Sequence, residues 1–356
     1  MNVSDFDFEL PEAQIAQEPP AIRGQSRLLR LDRASGATAH HAFGDLPALL
    51  RPGDLLVVND TRVFPARLLG RRLPGGGAVE CLLVSETAAP EPGAAESTWT
   101  ALVHPGQRLR VGSRMEFPAD GPVVIEGEVL GRHFNGRRTV RLRTMGGLAL
   151  QDAIDRIGHV PLPPYIHRDD EPADRDRYQT IFAAARGSIA APTAGLHFTP
   201  EVIAALDARG VERIAVTLHV GYGTFQPIRT DVVEAHRMDA ERYEVTAGAA
   251  AALSRAAREG RRVVAVGTTT TRTLESLPVA PDGTVAPGSG ETALFIHPGH
   301  RFRLVSGLVT NFHLPRSSLL MLVSALGGRD AVLSAYREAV ARGYRFYSYG
   351  DAMLII

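Results

Sequence analysis

The sequence predicts an α/β protein: a three-layer αβα core domain into which a small antiparallel β-barrel domain is inserted. Three observations carry this. Helix-like and strand-like runs alternate from residue 148 onward, short strands separated by Gly- or Pro-bearing turns crowd residues 62–148, and 356 residues exceed one ordinary domain. The core is expected to comprise residues 1–61 plus 149–356, and the barrel residues 62–148.

Taken in order, residues 27–31 (RLLRL) and 54–59 (DLLVVN) read as buried strands, with a turn at Ser35 and Gly36 between them. The alternating runs at 67–69, 79–84, 98–103, 123–130 and 138–143 supply a barrel of about six strands. Residues 86–97 (ETAAPEPGAAES) read as a polar hairpin extension, expected to be mobile. A helix is expected near 148–157. Another runs to Arg209 from a Thr199 cap, with Pro200 at its first position and Gly210 after its end. A strand at 213–219, a helix over 247–259 and a strand at 262–266 complete an alternation that implies parallel strands with crossover helices. Residues 281–290 read as a loop, and 344–353 (YRFYSYGDAM) as a buried closing strand with a satisfied Asp351 or, alternatively, as a stacking platform for bases.

Composition removes whole classes of chemistry. All 39 residues of the Lys+Arg count are Arg, so no lysine Schiff base, pyridoxal phosphate linkage or P-loop ammonium is available. Cys81 is the single cysteine, which excludes internal disulfides, cysteine-rich zinc sites and three-cysteine iron–sulfur clusters. The first ten residues lack the basic and apolar regions of an export signal, and no apolar run approaches the roughly 18 residues of a membrane span. A cytoplasmic protein with no membrane contact is expected. A formal net charge of +0 argues against bulk-charge nucleic-acid binding, yet residues 21–72 carry nine Arg against four Asp, and 105–145 eight Arg against four acids. Arg62, Arg67, Arg132, Arg137, Arg138, Arg141 and Arg143 are the candidates for a phosphate-tracking face.

Five polar segments fall at or near expected strand ends, where open α/β sheets bind ligands: 59–67 (NDTRVFPAR), 191–198 (APTAGLHF), 217–225 (TLHVGYGTF), 267–272 (GTTTTR) and 310–318 (TNFHLPRSS). Their amides and hydroxyls suit a carboxylate or ribose at a helix start. The candidate ligand-binding residues are Thr193, Gly195, Gly221, Gly223, Thr224, Thr268, Thr269, Arg272, Asn311 and His313. An imidazole titrating near neutrality suits general base work, which selects His197 or His219, with Asp60 and Glu241 as carboxylate alternatives. No His-Glu-x-x-His pattern is present, so no metal site is expected.

These five motifs and the closing Ser-Tyr-Gly-Asp-Ala-Met resemble, in order, those of the S-adenosylmethionine:tRNA ribosyltransferase-isomerase family of the queuosine pathway. The resemblance runs from Asp5-Phe-Asp-Phe-Glu-Leu-Pro to the last residue. It implies transfer of the ribosyl portion of S-adenosylmethionine to the aminomethyl group of a 7-deazaguanine at the tRNA wobble position, giving epoxyqueuosine and releasing adenine and methionine. S-adenosylmethionine is then a consumed substrate, and neither cofactor nor metal is needed. The implied partners are that tRNA and S-adenosylmethionine, with Arg62, Arg67, Arg137 and Arg138 on the RNA, and a monomer is expected. The chain departs from the family pattern at Asp239, where His is usual, Ala293 (Asp), His297 and His300 (Tyr) and Arg316 (Lys), so no role is carried onto those positions. Two other classes stay open. A methyltransferase would share the donor, but the Rossmann-type glycine-rich loop is missing after the first strand; a non-enzymatic RNA-binding module would rest on the barrel arginines alone.

Overall fold

The first strands are made by runs with nowhere polar to face. In the computed structural model, which describes all residues except 88–92, 119, 222 and 224–227, the chain forms β1 (Arg27–Leu31), β2 (Thr38–Ala42), the short helix α1 (Leu46–Leu49), β3 (Leu55–Asn59) and β4 (Thr61–Val63). Six strands follow: β5 (Arg67–Leu73), β6 (Ala78–Glu86), β7 (Glu96–His104), β8 (Arg114–Phe117), β9 (Ile125–Arg132) and β10 (Arg137–Thr144). Then come α2 (Leu150–Ile157), α3 (Asp174–Arg177), β11 (Ala185–Ser188), α4 (Pro200–Ala208), β12 (Glu212–Leu218), β13 (Glu241–Val245), α5 (Ala247–Glu259), β14 (Val263–Val266) and α6 (Thr268–Ser276). The chain continues through β15 (Gly288–Thr292), β16 (Gly307–Asn311), α7 (Ser318–Gly327), α8 (Arg329–Ala341) and β17 (Ala352–Ile355).

Nine strands build one sheet in the order β15-β13-β12-β3-β14-β16-β17-β1-β2. Its centre is parallel, β12 to β3 to β14 to β16, as crossover helices require. β17 lies antiparallel to β16 and parallel to β1, and antiparallel strands finish both edges, β2 at one and β13 and β15 at the other. The sheet is therefore mixed, where the alternation alone predicts parallel strands. Its strand side chains alternate between two cores: Leu55, Val57, Ala265, Met353 and Ile355 pack with α5, α6, α7 and α8, whereas Leu56, Val58, Val264, Val266 and Leu354 pack with α1 and α4. That double-sided burial makes the three layers. Thr199 caps α4 through an accepted bond from the Val202 amide at 3.4 Å, with Pro200 at the first position as its sequence predicts.

The six strands β5 to β10 close into an antiparallel barrel, ordered β10-β7-β6-β5-β8-β9. Its interior is apolar, including Leu68, Cys81, Ala101, Met115, Ile125, Val140 and Leu142. Burial pushes the Cys81 thiol up to about 12, so it behaves as a small hydrophobe. Of the expected hairpin extension at 86–97, residues 88–92 lie outside the described residues; Glu86 ends β6, and Glu96 and Ser97 open β7. The expected loop 281–290 ends inside β15, which pairs with β13 through Tyr243 opposite Gly290. The expected closing strand at 344–353 is displaced: residues 344–351 run through bends and turns and only 352–355 make β17, which is buried, while Asp351 accepts from the Arg27 amide (2.8 Å), the Arg27 guanidinium (2.9 Å) and the Arg345 amide (2.8 Å). Among the described residues, no single helix is long and apolar enough to cross a membrane.

Candidate functional site

Two clefts open where the strand-end segments converge. The narrower, about 510 Å³ of empty space, is lined by residues of four segments: Thr193 and Ala194, Val220, Gly267 to Thr269, and Thr310, Asn311 and His313, with Tyr165, Tyr347 and Ser348 completing its wall. The wider, about 1370 Å³, runs between the barrel and the sheet and is lined by Trp99, Arg137, Arg186, His219, Gly221 and Glu241 among others. Val220 lines both, so the clefts share that part of their walls.

The structure separates the two candidate histidines. His197 is 3% exposed, in the turn Thr193–His197, and both ring nitrogens are engaged. The Asn311 amide nitrogen can only donate, so His197 Nε2 accepts from it at 3.0 Å and Nδ1 keeps the proton, facing Ser26 Oγ at 2.9 Å. Asn311 in turn accepts from Thr193 Oγ1 at 3.0 Å and donates to the Tyr347 carbonyl at 3.1 Å. Burial pushes the His197 ring down to about 4, so it stays neutral near pH 7 and acts as a fixed strut beneath the narrow cleft. His313 lines that cleft with Nε2 bound to Thr310 Oγ1 at 2.9 Å, and burial lowers it to about 3.

His219 stands differently. Nδ1 is held by Thr61 Oγ1 at 2.8 Å, and its ring faces the wide cleft. Burial lowers its pKa from the usual histidine value, with Asp60 pulling the other way, so the ring is neutral and basic near pH 7. Two supports place it. The Asn59 side chain pairs with the Leu218 backbone, donating to its carbonyl at 3.0 Å and accepting from its amide at 3.1 Å. Gly187, at φ +153°, lies flat against the imidazole, and a Cβ there would meet ring atoms at 2.7 to 2.9 Å. Residues 59–61 thus act from behind, holding the residue that faces the cleft.

Other expected site residues are placed elsewhere. Asp60 lines neither cleft; its Oδ1 accepts from Thr217 Oγ1 at 2.6 Å. Arg272 is likewise absent from both walls, because its guanidinium is held by Glu241 at 2.6 Å and by the Leu294 carbonyl at 3.0 Å. Glu241 borders the wide cleft while accepting from the Gly221 amide at 2.9 Å. Gly195 is buried against Thr180, outside both clefts. Gly221 and Gly223 line the wide cleft, and Thr224 lies outside the described residues.

The arginines divide too. Arg138 is 3% exposed and donates to the carbonyls of Gly106 (2.9 Å), Leu109 (3.3 Å), Gly136 (3.1 Å) and Arg137 (3.0 Å), so it clamps two barrel loops together and presents nothing to a phosphate. Its parity with inward Val140 and Leu142 on β10 is the sequence signal that places it there. Arg137 lines the wide cleft and pairs with Asp239 at 2.5 Å. Arg62 borders a separate groove with Arg175 and Arg186, and Arg67 another with His167 and Arg168 while bound to Glu80 at 3.1 Å. Arg132 and Arg143 are exposed, and exposed Arg141 pairs with Glu128 at 2.5 Å. Of the departures from the family pattern, only Asp239 lines either cleft.

Comparison with known proteins now fits this geometry to a family. A family model described as a queuosine biosynthesis protein matches residues 3–355. The chain belongs to that family. It is 56% identical over 355 residues, covering 100% of this chain and 99% of the relative, to a protein of Anaeromyxobacter sp. (strain Fw109-5) named S-adenosylmethionine:tRNA ribosyltransferase-isomerase. A protein of Symbiobacterium thermophilum with the same name is 51% identical over 356 residues, covering 100% of both chains. The crystal structure of S-adenosylmethionine tRNA ribosyltransferase from Thermotoga maritima matches with a TM-score of 0.55 and 38% identity, over 99% of this chain and 100% of that one. The queuosine-family segments are thus the ones that gather around the two clefts, while Tyr165, Arg186 and Gly187 join them from stretches that carry no motif.

Proposed function

We infer that this chain is an S-adenosylmethionine:tRNA ribosyltransferase-isomerase. The observation that carries the mechanism is the junction of two walls at Val220: a narrow cleft for the donor lies beside a wide one, between barrel and sheet, that is large enough for a nucleotide. S-adenosylmethionine occupies the narrow cleft, where the edge-on rings of Tyr165 and Tyr347, with centroids 3.8 Å apart, form a wall for a flat base. The 7-aminomethyl-7-deazaguanine of the wobble position enters the wide cleft past Arg137 and Arg186. The sulfonium acidifies the ribose 5′ carbon, and His219, neutral and next to the junction, removes that proton. His197 and Asn311 hold the donor cleft in shape. The carbanion pair expels the ring oxygen from C4′, and that oxygen's pair forms the C1′ carbonyl as adenine leaves and takes a proton. The substrate amine then adds at C4′ and loses a proton, the pair returned to C5′ closes a C–C bond onto C1′, and the resulting alkoxide displaces methionine, which leaves with the pair of the C–S bond, to give the epoxide. The step needs no redox partner and proceeds without metal or cofactor. With both clefts on one chain, the enzyme acts as a monomer in the cytoplasm, where tRNA is modified.

The test is incubation with S-adenosylmethionine and tRNA bearing the aminomethyl-deazaguanine. Release of adenine and methionine in equal amounts, with mass added to the tRNA, is expected. A methyltransferase would instead yield S-adenosylhomocysteine, and an RNA-binding module would bind without turnover; either result overturns the assignment.

A further inference from the structure

The start of α6 is a helix end without a cap, enclosed in the donor cleft. Its N-cap is Gly267, at φ +92°, which has no side chain to offer the first-turn amides. The Gly267 amide is taken by the Val309 carbonyl at 2.8 Å, and the next bonded amide is that of Thr271, on the Gly267 carbonyl at 3.1 Å. The amides of Thr268, Thr269 and Thr270 between them have no acceptor among the described residues. Such groups are normally satisfied by a side chain, by water or by a ligand.

A second observation points the same way. The hydroxyls of Thr270, Thr271 and Thr273 each donate to the carbonyl four residues earlier, at 2.6, 3.1 and 3.1 Å. Thr269 breaks the series. It is 6% exposed, it lines the narrow cleft, and its Oγ1 is buried with no partner among the described residues. A buried hydroxyl left alone is costly, so its place beside three unpaired amides calls for an acceptor from outside the described residues.

The cleft's chemistry fixes the sign of that acceptor. Among the described residues, no Asp, Glu or Arg lines it, so an anion meets neither a repelling carboxylate nor a competing guanidinium. The helix start contributes the positive end of its dipole. Three amides and one hydroxyl on the same helical turn suit the two oxygens of a carboxylate. Resting on the assignment of this cleft to the donor, we propose that the first turn of α6, with Thr269 Oγ1, seats the methionyl carboxylate of S-adenosylmethionine. The sulfonium and ribose then extend toward Val220 and His219, and the helix start sets how far along the cleft the reacting carbon lies.

The experiment measures binding of S-adenosylmethionine and of its decarboxylated analogue, by calorimetry, to the parent chain, Thr269→Val and Thr269→Ser. The parent should bind the carboxylated donor roughly 10- to 100-fold more tightly than the analogue, the worth of hydrogen bonds to a charged group. Thr269→Val keeps the shape and removes the hydroxyl; it should weaken the donor about tenfold and leave the analogue unchanged, while Thr269→Ser restores the donor's affinity. Equal affinities for the two ligands in the parent, or a Val variant that weakens both alike, overturns the seat and leaves the donor cleft standing. A parent chain that binds neither compound overturns both the seat and the assignment of the cleft.

Discussion

Arg272 and Glu241 meet at 2.6 Å with side chains only 3% and 5% exposed, tying α6 to β13 at the border of the wide cleft. Glu241 also receives the Gly221 amide, so the pair fixes the bend that carries the chain from β12 into the glycine loop. Removing one partner strands a buried charge. Arg272→Met should lower unfolding stability by about 3–5 kcal/mol in urea titrations, and Glu241→Gln by less, since the amide still accepts from Gly221. Denaturation midpoints unchanged in both variants would contradict this.

His219→Gln should reduce turnover by roughly 100- to 10,000-fold with S-adenosylmethionine affinity retained, because proton abstraction is a transition-state task. The pKa of His219 lies below its ordinary value, so in the parent kcat/KM should fall as pH drops through a point below about 6.5, where the base becomes protonated. The variant should lack that limb. A pH profile shared by parent and variant would exclude His219 as the base.

Gly187→Ala should reproduce part of that loss without touching His219 in sequence, since its Cβ would sit 2.7 Å from the imidazole. Turnover should fall at least tenfold while donor affinity holds, a split that calorimetry and steady-state rates measured together would display.

His197 couples stability to acidity. Its ring titrates near 4 when folded and near 6.5 when unfolded, so both states are neutral above pH 6.5. Between 6.5 and 4 the unfolded chain takes up the proton and the folded one does not. Stability is therefore lost over that interval, by roughly 3 kcal/mol in all, and the loss levels off below pH 4. His313, lowered to about 3, acts in the same direction. The stability gap between the parent and His197→Gln should narrow as pH falls from 7 to 4; a constant gap in guanidinium titrations would show that the ring does not couple in this way.

Arg137 and Arg138 are neighbours with opposite fates. Arg137→Ala should lower the salt dependence of tRNA binding by about one unit. Arg138→Ala should leave the slope alone and destabilise the barrel by about 2 kcal/mol, because four carbonyls lose their donor. Equal slopes for parent and Arg137→Ala would mean that this side of the cleft does not meet phosphate.

Much of the site is written in contiguous motifs, and the sequence marks Thr193, Thr268, Asn311 and His313 because glycine, threonine and asparagine cluster at strand ends. What it does not mark arises from approach between distant stretches. Gly187 matters only because His219 folds onto it, and Tyr165 only because residues 344–353 bring Tyr347 against it. Tyr347 itself adopts φ +74°, a conformation costly for a ring-bearing residue and invisible to periodicity. In the fold, β8 spans only four residues, too few to stand out as a strand, and β2, at an edge with Thr38 to His41 half-buried and Ala42 exposed, lacks a clean inward face. The direction of β17 is set by the loop before it, which composition does not encode.

The place of β17 between β16 and β1 has a consequence for biosynthesis. β1 and β2 touch the rest of the sheet only through β17, whose residues 352–355 are translated more than three hundred positions later. The earliest strands therefore wait on the ribosome with their apolar faces unpaired. Cotranslational folding can complete the barrel and lay down β3, β12, β14 and β16, but the two halves of the sheet join only after residue 355 has cleared the exit tunnel. Nascent chains arrested before that point should keep the segment 27–42 open to proteases, and release of the finished chain should close it in a single step.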